Sequence, residues 1–120
     1  MKPIPKIIEL ARKLYAAGYR KEIEQGDWFF NAAFNEGHLW IYSTPRQEVY
    51  VKDNDNIPIP TLTQCLDFIE SKGFYAISDA GDSYRYCRWK LPLNSFWKYQ
   101  KAETRLEAAM LAVLKILGGE

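Results

Sequence analysis

The chain has 120 residues and a net charge of +1, from 16 basic and 15 acidic side chains. No overall electrostatic field therefore draws it to nucleic acid or to a membrane surface. Apolar residues make up 48% of the sequence, which excludes a disordered chain and is enough for a hydrophobic core. The length fits a single domain, and we expect residues 1–120 to form one.

The cysteines and the N-terminal sequence indicate the cellular compartment. Cys65 and Cys87 are the only cysteines, and neither belongs to a C-x-x-C motif, a usage typical of free thiols in a reducing compartment. Charges are scattered through the first residues, MKPIPKIIELARK, which lack the apolar stretch of a signal peptide. The longest apolar run, near Ala108–Leu114, is too short to span a bilayer. We therefore expect a cytoplasmic protein with no membrane partner.

The first half of the chain predicts a helix followed by strands. Apolar residues at helical spacing predict a helix from about Pro5 to Ala17, ended by Gly18. Segments 26–34 and 38–43 are rich in aromatic and branched residues and predict two strands, joined by a turn at 35–37 and followed by a short third strand at 48–51. Segment 52–60, KDNDNIPIP, predicts a break in regular structure, since its prolines lack the amide donor.

The second half predicts a helix, a hairpin and a closing helix. Thr61 and Gln64 have the spacing of a capping box at the start of the second helix, and Gly73 ends it. "FYAISD" and "SYRYCRWKL" predict a hairpin that turns at residues 80–82. Thr104 and Glu107 predict a second capping box.

The closing helix is apolar nearly all round. Such a helix must lie against the sheet and also touch another helix, or leave one side for a partner chain. The order of elements favours an α+β fold, with helices packed on a mostly antiparallel sheet.

Three segments carry a resemblance to known proteins: "IPTLTQCLDFIESKGF", "ETRLEAAMLAVLKIL" and "EIEQGDWFF". Together they resemble a group of small uncharacterised bacterial and phage or prophage proteins. In that group a Pro-Thr-Leu-x-Gln-Cys/Leu-Leu helix precedes a strand pair, and a Thr-x-x-Glu-Ala helix closes the chain. The resemblance implies a mobile-element context but no activity, and no catalytic residues are carried over from it.

Few residues suggest metal binding or catalysis. The run Asp53–Asn56 opens like a calcium loop, but Ile57 and Pro58 stand where an oxygen ligand and a glycine are needed. His38 is the only histidine, and it would act as a general base only with an orienting carboxylate such as Asp27 or Glu36. We rank that interpretation last and expect no enzyme activity, no cofactor and no metal.

The stretch SYRYCRWKLPLNSFWKYQK, residues 83–101, interleaves basic and aromatic side chains. Strand alternation places Arg85, Cys87, Trp89 and Leu91 on a core face. The opposite face is a candidate binding face, continued along the following loop, with these members: Tyr84, Tyr86, Arg88, Lys90, Trp97 and Lys98.

The simplest interpretation of that face is the solvent-exposed side of an ordinary sheet, where tyrosine and arginine are common and cross-strand pairs add stability. For a functional role there are two further interpretations. We expect a non-enzymatic module that contacts another protein or a second copy of itself, because the aromatic residues are many and the closing helix is so apolar. The alternative is nucleic-acid binding, in which tyrosines stack on bases while cations hold the phosphates.

Overall fold

The computed structural model of the protein describes residues 5–31, 39–47, 55–81 and 83–118. Within these ranges the chain forms three α-helices and two antiparallel sheets of three strands each. The predicted α+β class is therefore confirmed. The chain divides into two compact units, Met1–Pro60 and Thr61–Glu120. None of the helices in the described ranges is long and apolar enough to cross a membrane.

The first unit consists of one helix and one sheet. Its elements are α1 (Pro5–Ala16), β1 (Trp28–Asn31), β2 (Leu39–Ile41), a 3₁₀ turn (Pro45–Gln47) and β3 (Asn56–Ile59). The predicted first helix is confirmed, and Gly18 ends it in the left-handed conformation, with φ +106°. The two predicted strands pair, with Phe29 opposite Trp40. The predicted turn at 35–37 and the predicted strand at 48–51 lie outside the described residues.

Strand β3 corrects the prediction that segment 52–60 breaks regular structure. It pairs with β1, Ile57 opposite Phe30 and Pro58 opposite Phe29. In the described part of the sheet the strand order is β2-β1-β3, so β3 lies at an edge, where a proline is tolerated because one row of amides has no partner strand. A buried hydrogen bond from Asn31 Nδ2 to Asn56 Oδ1, 3.0 Å long, fixes the register.

The second unit contains the predicted hairpin and one strand more. Its elements are α2 (Leu62–Ser71), β4 (Tyr75–Ala80), β5 (Arg85–Lys90), β6 (Lys98–Ala102) and α3 (Arg105–Ile116). The predicted β4–β5 hairpin is confirmed. Residues 98–102, predicted to continue as a loop, instead form β6 and pair with β5. Strand β5 is therefore the central strand of this sheet.

The two predicted capping boxes differ in outcome. At α2 the box is complete, because Gln64 N donates to Thr61 Oγ1 (3.1 Å) and Thr61 N donates to Gln64 Oε1 (2.9 Å). At α3 only one arm forms, from Glu107 N to Thr104 Oγ1 (3.1 Å). The Glu107 side chain is fully buried, and neither carboxyl oxygen has a hydrogen-bond partner among the residues described. The carboxylate points into the core rather than back to the cap, so the second box is half formed.

Helix α3 takes the first of the two arrangements expected for an apolar helix. It packs against β4, β5 and β6 and also against α2. Most of its side chains are buried, and Leu111 and Ile116, which lie off its main apolar stripe, are half-buried. The helix therefore leaves no broad apolar side exposed to solvent.

We predict that Thr61→Ala lowers the free energy of unfolding by about 1 kcal/mol, because the N-cap hydroxyl and the returning Gln64 arm are both lost. Thr63→Ala is the matched control, since Thr63 is exposed within the same helix and alanine favours helix formation. Urea unfolding followed by circular dichroism measures both. Equal stability of Thr61→Ala and the wild type would contradict the capping account.

Candidate functional site

The second sheet has one covered and one open face. Cys87 and Trp89 on β5 are buried on the side that carries α3. Strand alternation directs their neighbours the opposite way. We call that opposite side the outer face, and its members are Tyr75, Ile77 and Asp79 on β4, Tyr86, Arg88 and Lys90 on β5, and Tyr99 and Lys101 on β6.

Most of the candidate residues named from sequence come together on or beside this face. Tyr86, Arg88 and Lys90 belong to it, as strand alternation predicts. Tyr84 lies just before β5, is exposed, and has Lys101 Nζ 5.0 Å from its ring centroid. Trp97 lies just before β6, beside the same face. Lys98 is the exception, because it pairs with Trp89 and so belongs to the helix-covered side of the sheet.

Arg88 contacts Asp79 on β4 and also Trp97, which lies beside the outer face. Its guanidinium forms an ion pair with Asp79, 2.8 Å between Nη2 and Oδ2, and lies 5.1 Å from the ring centroid of Trp97. Lys90 Nζ lies 5.2 Å from the same centroid. Each contact is weak where it is exposed to water, about 0.5–1 kcal/mol for a cation–π pair. Together they hold Trp97 against the sheet.

A shallow depression lies at the centre of the outer face. Its volume is about 410 Å³, and it is lined by Asp79, Tyr86, Arg88, Tyr99 and Lys101. Tyr86 and Tyr99 meet edge to face, with their ring centroids 6.0 Å apart. Asp79, Tyr99 and Lys101 were not among the residues named from sequence, since only the pairing of β4 and β6 with β5 brings them to this face.

Gly81 shapes one end of the depression. A Cβ at this position would lie 2.6 Å from Tyr86 Cε2, closer than a methyl group and an aromatic carbon can approach. Gly81 N also donates to the carbonyl oxygen of Tyr84 (2.8 Å), which closes the turn between β4 and β5. The glycine therefore lets the Tyr86 ring lie over the turn.

The connection between β5 and β6 is an exposed apolar loop, which we define as residues 91–96. Leu91 is 48% exposed, Phe96 is 80% exposed and Leu93 is fully exposed. The position of Leu91 corrects its predicted core role, because β5 ends at Lys90 and alternation no longer applies beyond it. Two hydrogen bonds order the loop, from Asn94 N to the Leu91 carbonyl (3.0 Å) and from Phe96 N to Asn94 Oδ1 (3.2 Å).

Of the residues considered for catalysis, only Asp27 lies within the described ranges. His38 and Glu36 lie outside the described residues. Asp27 is buried and accepts hydrogen bonds from Lys21 Nζ (2.5 Å) and Glu24 N (2.7 Å), which gives it a structural role. In the ranges that the structure describes, no group of three or more His, Cys, Asp or Glu side chains could hold a metal ion.

Both cysteines are free thiols in the core. Burial raises the pKa of Cys87 to about 11. Burial, together with the nearby Cys87, raises the pKa of Cys65 further still. A thiol that stays protonated is a poor nucleophile, so the chemistry of these residues agrees with their core position.

Comparison of the chain with protein-family models, curated proteins and solved structures finds no match.

We predict that the free energy of unfolding falls as the pH rises from about 9 to about 11. In this range the unfolded thiols ionise near their ordinary pKa of 9.0, while the folded Cys87, with a pKa of about 11, keeps its proton. The unfolded state then binds fewer protons than the native state, so increasing pH favours unfolding. Urea unfolding at several pH values measures the slope, and Cys87→Ala should reduce it. An unchanged slope in Cys87→Ala would contradict the burial of this thiol.

Proposed function

We propose that the protein is a non-enzymatic module that binds another protein through the outer face and the apolar loop. The observation that carries this proposal is the loop, which exposes Leu91, Leu93 and Phe96 within six residues. Scattered apolar side chains are ordinary on a protein surface, but a cluster indicates a contact site. One backbone hydrogen bond and one to the Asn94 side chain order the loop in the free protein, so little backbone conformational entropy is lost when it binds.

The outer face has the composition of a protein contact surface. Aromatic residues and arginine are enriched where proteins meet, and they carry a large share of the binding energy. Here Tyr75, Tyr84 and Tyr99 are exposed, and Arg88 lies among them. The apolar loop provides apolar anchors, and the outer face provides a polar, positively charged rim.

The charges of the outer face favour a different protein over a second copy of this chain. Arg88, Lys90 and Lys101 lie on the face, and Asp79 is the acid paired with Arg88. Two such faces brought together would oppose positive charges, and like charges in contact disfavour association. Helix α3, whose apolar sequence suggested self-association, is already buried by its own unit. The partner that fits is a protein with an apolar groove and an acidic rim.

Nucleic-acid binding is the second candidate, because cations and aromatic rings share the outer face. The contacts between these cations and aromatic rings argue against nucleic-acid binding. Arg88 and Lys90 lie over the ring of Trp97, and Lys101 lies over Tyr84. A base that stacked on the covered side of either ring would have to displace a cation, and Asp79 would repel phosphates close to Arg88.

The setting that we propose is the cytoplasm, since two buried free thiols suit a reducing compartment. The resemblance of residues 59–74 and 103–117 to phage and prophage proteins suggests a partner encoded by, or targeted by, a mobile element.

The test begins with selection of random displayed peptides on the immobilised protein. We expect the selected peptides to combine apolar and acidic residues. A labelled synthetic copy of the best peptide is then titrated by fluorescence anisotropy against wild type and the double variant Leu93→Ser/Phe96→Ser. Loss of two apolar anchors should weaken binding about 100-fold or more. Ser95→Ala is the control within the same loop and should bind like the wild type.

The same titration with labelled single-stranded and duplex oligonucleotides separates the two candidates. Salt-sensitive oligonucleotide binding that is lost in Tyr84→Ala/Arg88→Ala would replace the proposal by nucleic-acid binding. A stable dimer in light scattering, abolished by Leu93→Ser/Phe96→Ser, would replace it by self-association. A selected peptide that binds the double variant as tightly as the wild type would also overturn it.

A further inference from the structure

We propose that the partner adds an extended, acidic segment of its own chain to the open edge of the second sheet, along β6. The inference deepens the proposed function, on which it rests for the identity of the partner as a different protein. Within the described part of the chain β6 pairs only with β5, so its other edge has no strand beside it. Strand addition to such an edge is a recurring mode of peptide recognition, in which main-chain hydrogen bonds provide the affinity.

The hydrogen bond at the β4–β5 turn shows which amides of β6 point to that edge. Residues opposite each other in antiparallel strands alternate between pairs that exchange both N–H···O bonds and pairs that exchange none. Gly81 continues the β4–β5 register opposite Tyr84 and donates to its carbonyl oxygen, so the odd-numbered amides of β5 point to β6. In the register of β5 with β6, the amides of Tyr99 and Lys101 therefore point outward to the open edge.

The side chains of β6 leave the edge accessible and give it a positive charge. Lys98, Tyr99 and Lys101 are exposed, and the strand contains no acid. Lys101 Nζ lies 5.0 Å from the ring centroid of Tyr84, a contact that does not neutralise its charge. An added strand places a residue directly opposite each lysine, close enough for a cross-strand ion pair. Acids three residues apart on the partner segment would face Lys98 and Lys101 on opposite sides of the sheet.

The charges favour β6 over β4, the other edge strand of this sheet. Strand β4 carries Asp79 and no cation, so it would repel an acidic segment. Strand β6 also follows the apolar loop directly, so a partner bound to the loop lies beside β6.

The same charges disfavour a second copy of this chain at the edge. Two β6 edges brought together would gather two lysines from each copy and no acid. Natural proteins place lysine on edge strands to prevent this kind of edge-to-edge pairing. A strand of a different protein that carries acids is attracted by the same lysines.

The test uses the acetylated and amidated hexapeptide TEVVET. Its sequence reads the same in both directions, so its glutamates reach both lysines whether it adds parallel or antiparallel to β6. Binding is followed by NMR titration and by amide hydrogen exchange. At about 80% occupancy we expect the amides of Tyr99 and Lys101 to exchange about fivefold more slowly, because exchange proceeds only from the free protein. The amides of Lys98 and Gln100, which point to β5, should keep their rates.

Three controls separate the main-chain hydrogen bonds from the charges. TEVVET methylated on both valine amide nitrogens keeps every side chain but loses donors to β6, and it should not bind. The double variant Lys98→Glu/Lys101→Glu should bind TEVVET about tenfold more weakly and bind TKVVKT more tightly than the wild type does. Lys6→Glu controls for net charge, since Lys6 is exposed on α1, and it should bind TEVVET like the wild type.

Failure of strand addition is distinguishable from failure of the proposed function. If the selected displayed peptide binds through Leu93 and Phe96, but neither it nor millimolar TEVVET slows exchange at Tyr99 and Lys101, the proposed function stands and strand addition is overturned. Strand addition also fails if the N-methylated peptide binds as tightly as TEVVET. It fails again if increasing protein concentration alone protects the two amides, since a second copy would then occupy the edge. Protection by TEVVET, with a selected peptide that ignores the loop, would support strand addition and overturn the role of the loop.

Discussion

The burial of Cys87 and Trp89 beneath α3 is the constraint on which the rest of the second unit depends. Side chains of a strand alternate between faces, so fixing these two inward fixes Arg88 and Lys90 outward. A slip of one residue would expose the Trp89 indole to water and bury the cations of Arg88 and Lys90 without counter-charges. That would cost far more free energy than any contact on the outer face contributes. The register of β5 is therefore strongly specified, and it determines which residues are available for binding.

That register also determines the chemistry of the outer face. The outer face is aromatic and basic, its cations already lie against rings or a carboxylate, and the apolar loop projects beside it. Such a surface suits a large partner that contributes both apolar and acidic groups. Lys98 and Lys101 are three residues apart on β6, so strand alternation places them on opposite sides of the sheet.

The parts of the fold that could be predicted from the sequence are those set by neighbouring residues. The Thr61–Gln64 capping box, the glycines that end the first two helices and the alternation along β5 each depend on a few adjacent positions, and the structure confirms them. Strands β3 and β6 were missed because non-local pairing forms them. Pro58 disfavours a strand until β1 is beside it, and residues 98–102, with two lysines and a glutamine, show no strand signal without β5. Of the outer face, the residues on β5 could thus be predicted, and those on β4 and β6 could not.

Hydroxyl-radical footprinting read by mass spectrometry tests the central claim, that β5 separates a covered face from an open face beside an exposed loop. Reactivity of each residue in the folded protein is divided by its reactivity in urea, which removes intrinsic differences between side chains. We expect fast oxidation of Phe96 and Tyr99 and strong protection of Trp89 and Met110. Protection of Phe96 and Tyr99, or oxidation of Trp89 at the rate seen in urea, would contradict it.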